Sequence, residues 1–99
     1  HVEALDCIFH YGKYGEKYNI GGNNEISNID LVHYICELCV DKKIHKNPMN
    51  LISFVTDRMG HDQRYAINYD KLKKELNWTP RYNFRKALSS TIEWYIKKI

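Results

Sequence analysis

The stretch Leu51-Ile52-Ser53-Phe54-Val55-Thr56-Asp57-Arg58-Met59-Gly60-His61-Asp62-Gln63-Arg64-Tyr65-Ala66-Ile67 decides how this chain is read. Leu51–Val55 predicts a strand by its apolar content, Asp57–Arg64 a polar loop, and Tyr65–Ile67 a second short strand. Ligand-binding loops of α/β folds commonly lie past the carboxyl ends of strands, which makes this loop the first candidate site. Arg58 offers a planar fork to a phosphate, and His61 a hydrogen bond to phosphate or sugar. Gly60 lets a ligand approach the backbone closely. The competing reading is a solvated charged turn in which Asp57 and Asp62 pair with Arg58 and Arg64.

Working outward, Val2, Leu5, Ile8 and Phe9 share one helical face, and Gly12 and Gly15 end that helix. Lys17–Ile20 predicts a short strand that stops at Gly21-Gly22. Ser27 or Asn28 caps the next helix, with Asp30 in the first turn where the helix dipole favours a carboxylate. Its apolar face is Ile29, Val32, Ile35, Cys36, Cys39 and Val40. Downstream, Asp70 is expected to cap a short helix carrying Leu72 and Leu76, with Asn77 at its end and Pro80 beyond. Asn83 caps a last helix lined by Phe84, Leu88, Thr91, Ile92 and Tyr95. Strands interleaved with helices predict an α/β domain, and the length leaves room for one, spanning 1–99.

With 43% hydrophobic and 27% charged residues, the 99-residue chain is ordinary globular material, which excludes a disordered tail. No apolar run approaches the ~20 residues of a membrane helix. No basic-plus-apolar leader opens the chain, and the start at His1 without a methionine suggests a cut piece. The three cysteines, Cys7, Cys36 and Cys39, cannot all pair within the chain, so free thiols in a reducing cytoplasm are expected. Residues 1–50 hold five Lys/Arg against seven Asp/Glu, and residues 51–99 hold ten against five. The basic half suits a phosphate-bearing partner, but a net charge of +3 without a Lys/Arg stripe does not point to nucleic acid.

Four other constellations stand out in the sequence. Gly21-Gly22-Asn23-Asn24, running toward a helix start, can present backbone N–H groups to an anion, yet it lacks phosphate-loop and dinucleotide spacing. A plain turn and cap explains it as well. His33, Cys36 and Cys39, with Cys7 and His10, offer soft metal ligands. Steps of three drift around a helix, however, and the cysteines also serve the apolar face, so no metal is expected. Tyr69 and Lys73 match Tyr-x-x-x-Lys, but chance alone supplies about one such match here, and Asp70 reads as a cap. The Tyr11–Tyr18 run fits a surface loop better than a base-stacking platform.

Three runs then accumulate: Gly15-Glu16-Lys17-Tyr18-Asn19-Ile20-Gly21-Gly22-Asn23-Asn24-Glu25 with Asn28-Ile29-Asp30; Asp57-Arg58-Met59-Gly60-His61-Asp62-Gln63-Arg64-Tyr65-Ala66-Ile67; and Leu76-Asn77-Trp78-Thr79-Pro80. Together with His1-Val2 and Ala4-Leu5 at the start and Thr91-Ile92-Glu93-Trp94-Tyr95 at the end, they resemble the C-terminal portion of the dTDP-glucose 4,6-dehydratases. These are extended short-chain dehydrogenase/reductases, and the likeness spans essentially the whole chain. The Trp-x-Pro element sets only the superfamily; the Asp57–Tyr65 run is far more specific.

The resemblance implies a small substrate-binding C-terminal domain whose Rossmann half is absent. It implies a parent that uses NAD, oxidises the sugar C4 hydroxyl, eliminates water across C5–C6 and returns the hydride to C6. It places Asn28, Asp57, Arg58, Met59, Gly60 and His61 on the dTDP-sugar, with Arg58 as phosphate ligand. The family's NAD fingerprint and catalytic residues lie upstream, so no catalytic residue and no turnover are expected of this piece. A missing N-terminal nucleotide-binding domain, a homodimeric cytoplasmic parent, and no nucleic acid or membrane complete the expectation. Two alternatives stay open: a free-standing phosphate- or nucleotide-binding module, and a small zinc-stabilised interaction domain. The chain departs from the family pattern at Met59, usually proline, at Gln63, usually arginine, and at Asn77, usually glycine. Gly60-His61 favours dTDP over UDP.

Overall fold

A computed structural model describes residues 1–99. Four α-helices and one 3-10 turn make up about half the chain: α1 (Val2–Tyr11), α2 (Asn28–Asp41), the 3-10 turn (Pro48–Leu51), α3 (Asp70–Leu76) and α4 (Phe84–Lys98). Their limits follow from local chemistry. Gly12 ends α1 in extended backbone. The Ser27 side chain accepts from the Asp30 N–H at 3.1 Å, as an N-cap should. Asn77 closes α3 in the left-handed conformation, φ 53°, which Asn tolerates better than most residues. The expected cap at Asp70 is corrected: Asp70 is the first helical residue, and the Asn68 side chain accepts from its N–H at 2.7 Å.

The expected α/β class is overturned, because the chain contains no strand. Lys17–Ile20, Leu51–Val55 and Tyr65–Ile67 carry no ladder hydrogen bonds; Leu51 instead closes the 3-10 turn. A strand is a relation between two segments, and apolar content says only that a segment would fit a half-buried pleated surface. Leu51, Phe54 and Val55 are exposed, with nothing paired beside them.

The chain folds as two units, each built from two separate stretches. The first comprises His1–Glu25 and Arg64–Asn83. There α1 packs on α3, each contributing one fully buried apolar residue, Ala4 and Leu72. Around them run ion pairs between Arg81 and Glu3 and between Lys71 and Glu16 (2.5 Å). The Tyr18 hydroxyl donates to Glu75 at 3.0 Å, and the Lys71 ammonium lies 4.8 Å above the Tyr18 ring. The predicted apolar face of α1 is not its core face. Val2, Leu5 and Phe9 point outward, and small Ala4 makes the close approach.

The second unit comprises Ile26–Gln63 and Phe84–Ile99. In it α2 packs on the 3-10 turn, where Cys36 and Pro48 are buried. Lys42 of α2 pairs with Glu93 of α4, and the Arg85 guanidinium sits 4.4 Å over the Tyr34 ring. Of the expected α2 face, Val32 and Val40 remain substantially exposed.

Little apolar surface is covered in either unit. The chain exposes 8898 Å². Two compact bodies of these sizes would expose about 7100 Å² even if fully separate. Among the uncovered side chains are Val2 and Phe9 in the first unit, and Phe54, Val55, Trp94 and Tyr95 in the second.

Candidate functional site

Arg58 to His61 form a tight turn closed by a 3.4 Å bond from the His61 N–H to the Arg58 carbonyl. Gly60 stands at its third position with φ +71°, where a Cβ would be strained. Met59 fills the second position, which proline favours in such a turn, and is fully exposed. Asp57 organises the turn from outside it. One carboxylate oxygen, Oδ1, accepts both the Arg58 N–H at 2.8 Å and His61 Nδ1 at 2.7 Å. The His61 bond first, and then the Arg58 N–H, hold the Asp57 carboxyl below the usual carboxylate range against a partial loss of water. With Nδ1 committed, Nε2 is the imidazole nitrogen left for a ligand.

The charged-turn alternative required Asp57 and Asp62 to pair with Arg58 and Arg64, and those pairs are not made. Asp57 holds His61, and Arg64 forks onto Glu25. Arg81 is taken by Glu3, and Arg85 by the Tyr34 ring. Arg58 keeps an exposed guanidinium with no carboxylate on it. Asn28 belongs to the same unit as the turn, as the first residue of α2, with an exposed side chain. The structure thus gathers Asp57, Arg58, Met59, Gly60 and His61 into one turn, while no bond joins Asn28 to it.

The other candidates fall elsewhere. Gly21 is buried, and the space its Cβ would fill is occupied by the Ile67 carbonyl oxygen, 2.3 Å away. This glycine serves packing rather than a phosphate cradle. The Ser27 hydroxyl at the start of α2 is already bonded to the Asp30 carboxylate at 2.5 Å, so a carboxylate takes the place an anion would need. Neither Gly21 nor the start of α2 thus forms a dinucleotide cradle, and the family resemblance puts the NAD fingerprint upstream of both. No three His, Cys, Asp or Glu side chains converge as a metal site; Cys7 lies 3.9 Å from the Leu76 carbonyl. The Tyr69 ring packs edge-on against Trp78 at 5.9 Å. Sequence reasoning missed the Glu25–Arg64 fork; the only signal was that both residues lie inside runs that carry the family resemblance.

The model of the family described as GDP-mannose 4,6 dehydratase matches residues 1–91. The chain belongs to this family. Within it, the chain is 42% identical over 99 residues to the dTDP-glucose 4,6-dehydratase of Xanthomonas campestris pv. campestris. It is 46% identical over 98 residues to one from Escherichia coli. Each alignment takes in 97% of this chain but only 28% and 27% of the relative. A crystal structure of the dTDP-glucose 4,6-dehydratase from Bacillus anthracis, in complex with NAD, superposes with a TM-score of 0.80 at 44% identity. That match covers 98% of this chain and 28% of that one. The chain therefore spans little more than a quarter of the length of these relatives. No helix is long and apolar enough to cross a membrane.

Proposed function

We propose that residues 1–99 are the C-terminal, sugar-nucleotide-binding region of an NAD-dependent dTDP-glucose 4,6-dehydratase, whose product is a 4-keto-6-deoxy sugar nucleotide. The unpaired Arg58 guanidinium, on a turn whose own carboxylate is committed to His61, carries this reading. Arg58 grips the pyrophosphate as a charge-assisted fork, His61 Nε2 adds a bond to phosphate or sugar, and Asn28 contacts the nucleotide. NAD and the catalytic groups belong to the remaining three-quarters of the longer chain, so the 99-residue piece does not turn over substrate. The exposed surface supports a missing partner over a free-standing module. The excess is about 1800 Å², roughly twice the ~800 Å² that each partner contributes to a standard interface.

Calorimetric titration with dTDP and UDP, on the longer chain and its Arg58→Ala variant, tests the reading. Arg58→Ala is expected to weaken dTDP at least about tenfold, the order of one lost charge-assisted bond. Equal dTDP affinity with and without Arg58 would overturn the site, and equal affinity for UDP would overturn the choice of base.

A further inference from the structure

The bond between Asp57 and His61 lies wholly within the second unit, and it fixes a proton as well as a ring. The Asp57 carboxyl is held below the usual carboxylate range, so near neutrality it is ionised and offers acceptors alone. Its Oδ1 accepts the Arg58 N–H at 2.8 Å and meets His61 Nδ1 at 2.7 Å. The hydrogen of that second bond therefore sits on Nδ1. A neutral imidazole carries one N–H, so Nε2 is left with a bare lone pair and can only accept.

Phosphate oxygens are acceptors as well. Two lone pairs make no hydrogen bond, so His61 can serve a diphosphate through Nε2 only once that nitrogen is protonated. The surroundings favour the protonated form. Its Nδ1–H bond to Asp57 becomes charge-assisted, and no charged side chain of α2, the 3-10 turn or α4 bonds the ring. Charge balance points the same way. Across Asp57–Asp62, two carboxylates stand against one guanidinium, a poor net charge for an anion site while His61 is neutral.

We propose that this site takes up a proton with its ligand. Asp57 holds His61 in the Nδ1–H form, solvent supplies a second proton to Nε2, and the imidazolium and Arg58 bracket one diphosphate. The turn brings the ends that carry these two side chains within about 7 Å of each other at Cα, closed by the 3.4 Å bond between them. Asp57 is thus a positioning residue without a ligand contact of its own. The inference rests on the substrate-binding reading of this turn.

The test titrates the full-length enzyme with the β-methyl ester of dTDP, a diphosphate diester with no phosphate group that titrates near neutrality. Calorimetry in buffers of different ionisation enthalpy counts the protons taken up. At about pH 7.5, wild type is expected to take up roughly half to one proton per site, and its affinity to fall by up to about tenfold per pH unit. His61→Gln should take up none and show a flat pH profile, because its amide donates without a proton from solvent. Asp57→Asn should take up less than about half as much as wild type, since an amide can donate to Nδ1 and leave the single N–H on Nε2. No uptake in wild type, or undiminished uptake in either variant, overturns the inference. Arg58→Ala separates this result from failure of the site. If Arg58→Ala weakens binding while wild type takes up no proton, the proton linkage alone is refuted. If Arg58→Ala leaves affinity unchanged, the substrate-site reading fails and the linkage with it.

Discussion

Replacing Gly21 by alanine places a methyl group where the Ile67 carbonyl oxygen now stands. The added Cβ would lie 2.3 Å from that oxygen and 3.1 Å from its carbon. Ordinary carbon–oxygen contact needs about 3.2 Å, so one segment must retreat by roughly 0.9 Å, and the obstacle is backbone rather than a pliable side-chain tip. Overpacking of this kind costs about 1–3 kcal/mol. Gly22 is the internal control. Its added Cβ meets only the Asn24 side-chain nitrogen, at 3.5 Å, and its backbone φ lies outside the left-handed region. Alanine there should be neutral or stabilising by up to about 1 kcal/mol, through a less free unfolded chain. Urea unfolding followed by Trp78 fluorescence, with Trp94→Phe to silence the second unit, reads the difference. With a slope near 1–1.5 kcal/mol/M for a chain of this size, Gly21→Ala should lower the midpoint by about 0.7–3 M. A Gly22→Ala variant as damaged as Gly21→Ala would refute the argument, because it would mean that the glycine pair serves flexibility and not contact.

Leu72 is the only large side chain fully buried, and Leu72→Ala should cost about 2–5 kcal/mol, read as loss of the same Trp78 transition. Ser27→Ala removes the cap on α2 and should cost about 1 kcal/mol, seen in circular dichroism as a lower-melting helix. Gly60→Ala forces a Cβ into φ +71° and should cost about 1–2 kcal/mol despite open space around it; a neutral variant would show that the turn is not held in that conformation. The carboxyls of Glu3, Glu16, Glu25, Asp57 and Glu93 are all lowered by their bonds to Arg81, Lys71, Arg64, His61 and Lys42. Groups lowered by folding stabilise above their unfolded pKa and lose that contribution as pH falls through the folded one. Melting temperature should therefore hold from neutrality down to the ordinary carboxylate range and drop below it. Asp57→Asn should narrow its gap to wild type over the same acid interval.

Local chemistry was legible where it depends on neighbours in sequence. The Gly12 stop and the helix end at Asn77 are decided by a few adjacent residues and lie where the sequence places them, and of the two caps it offers for α2, Ser27 and Asn28, the structure uses Ser27. The Asp57–Arg64 loop and its glycine were legible for the same reason, but the Asp57–His61 bond was not, since the sequence offered Arg58 and Arg64 as equally near partners. The strands were not legible. Phe54 and Val55 have strand-like side chains, but a ladder needs backbone bonds to a second segment, and none is made. The outward turn of Val2 and Phe9 escaped prediction because an apolar stripe marks a face to be covered without saying by what. The Glu25–Arg64 fork joins residues 39 apart, a distance at which residue type carries no signal.

The interleaving of the two units also sets an order of assembly during synthesis. All residues of the first unit exist once Asn83 has been joined, whereas the second waits for α4, whose Glu93 and Arg85 hold Lys42 and Tyr34. At ribosomal speeds of about 5–20 residues per second, those sixteen residues take roughly 1–3 s. For that interval the Arg58–His61 turn is present without the helix that completes its unit.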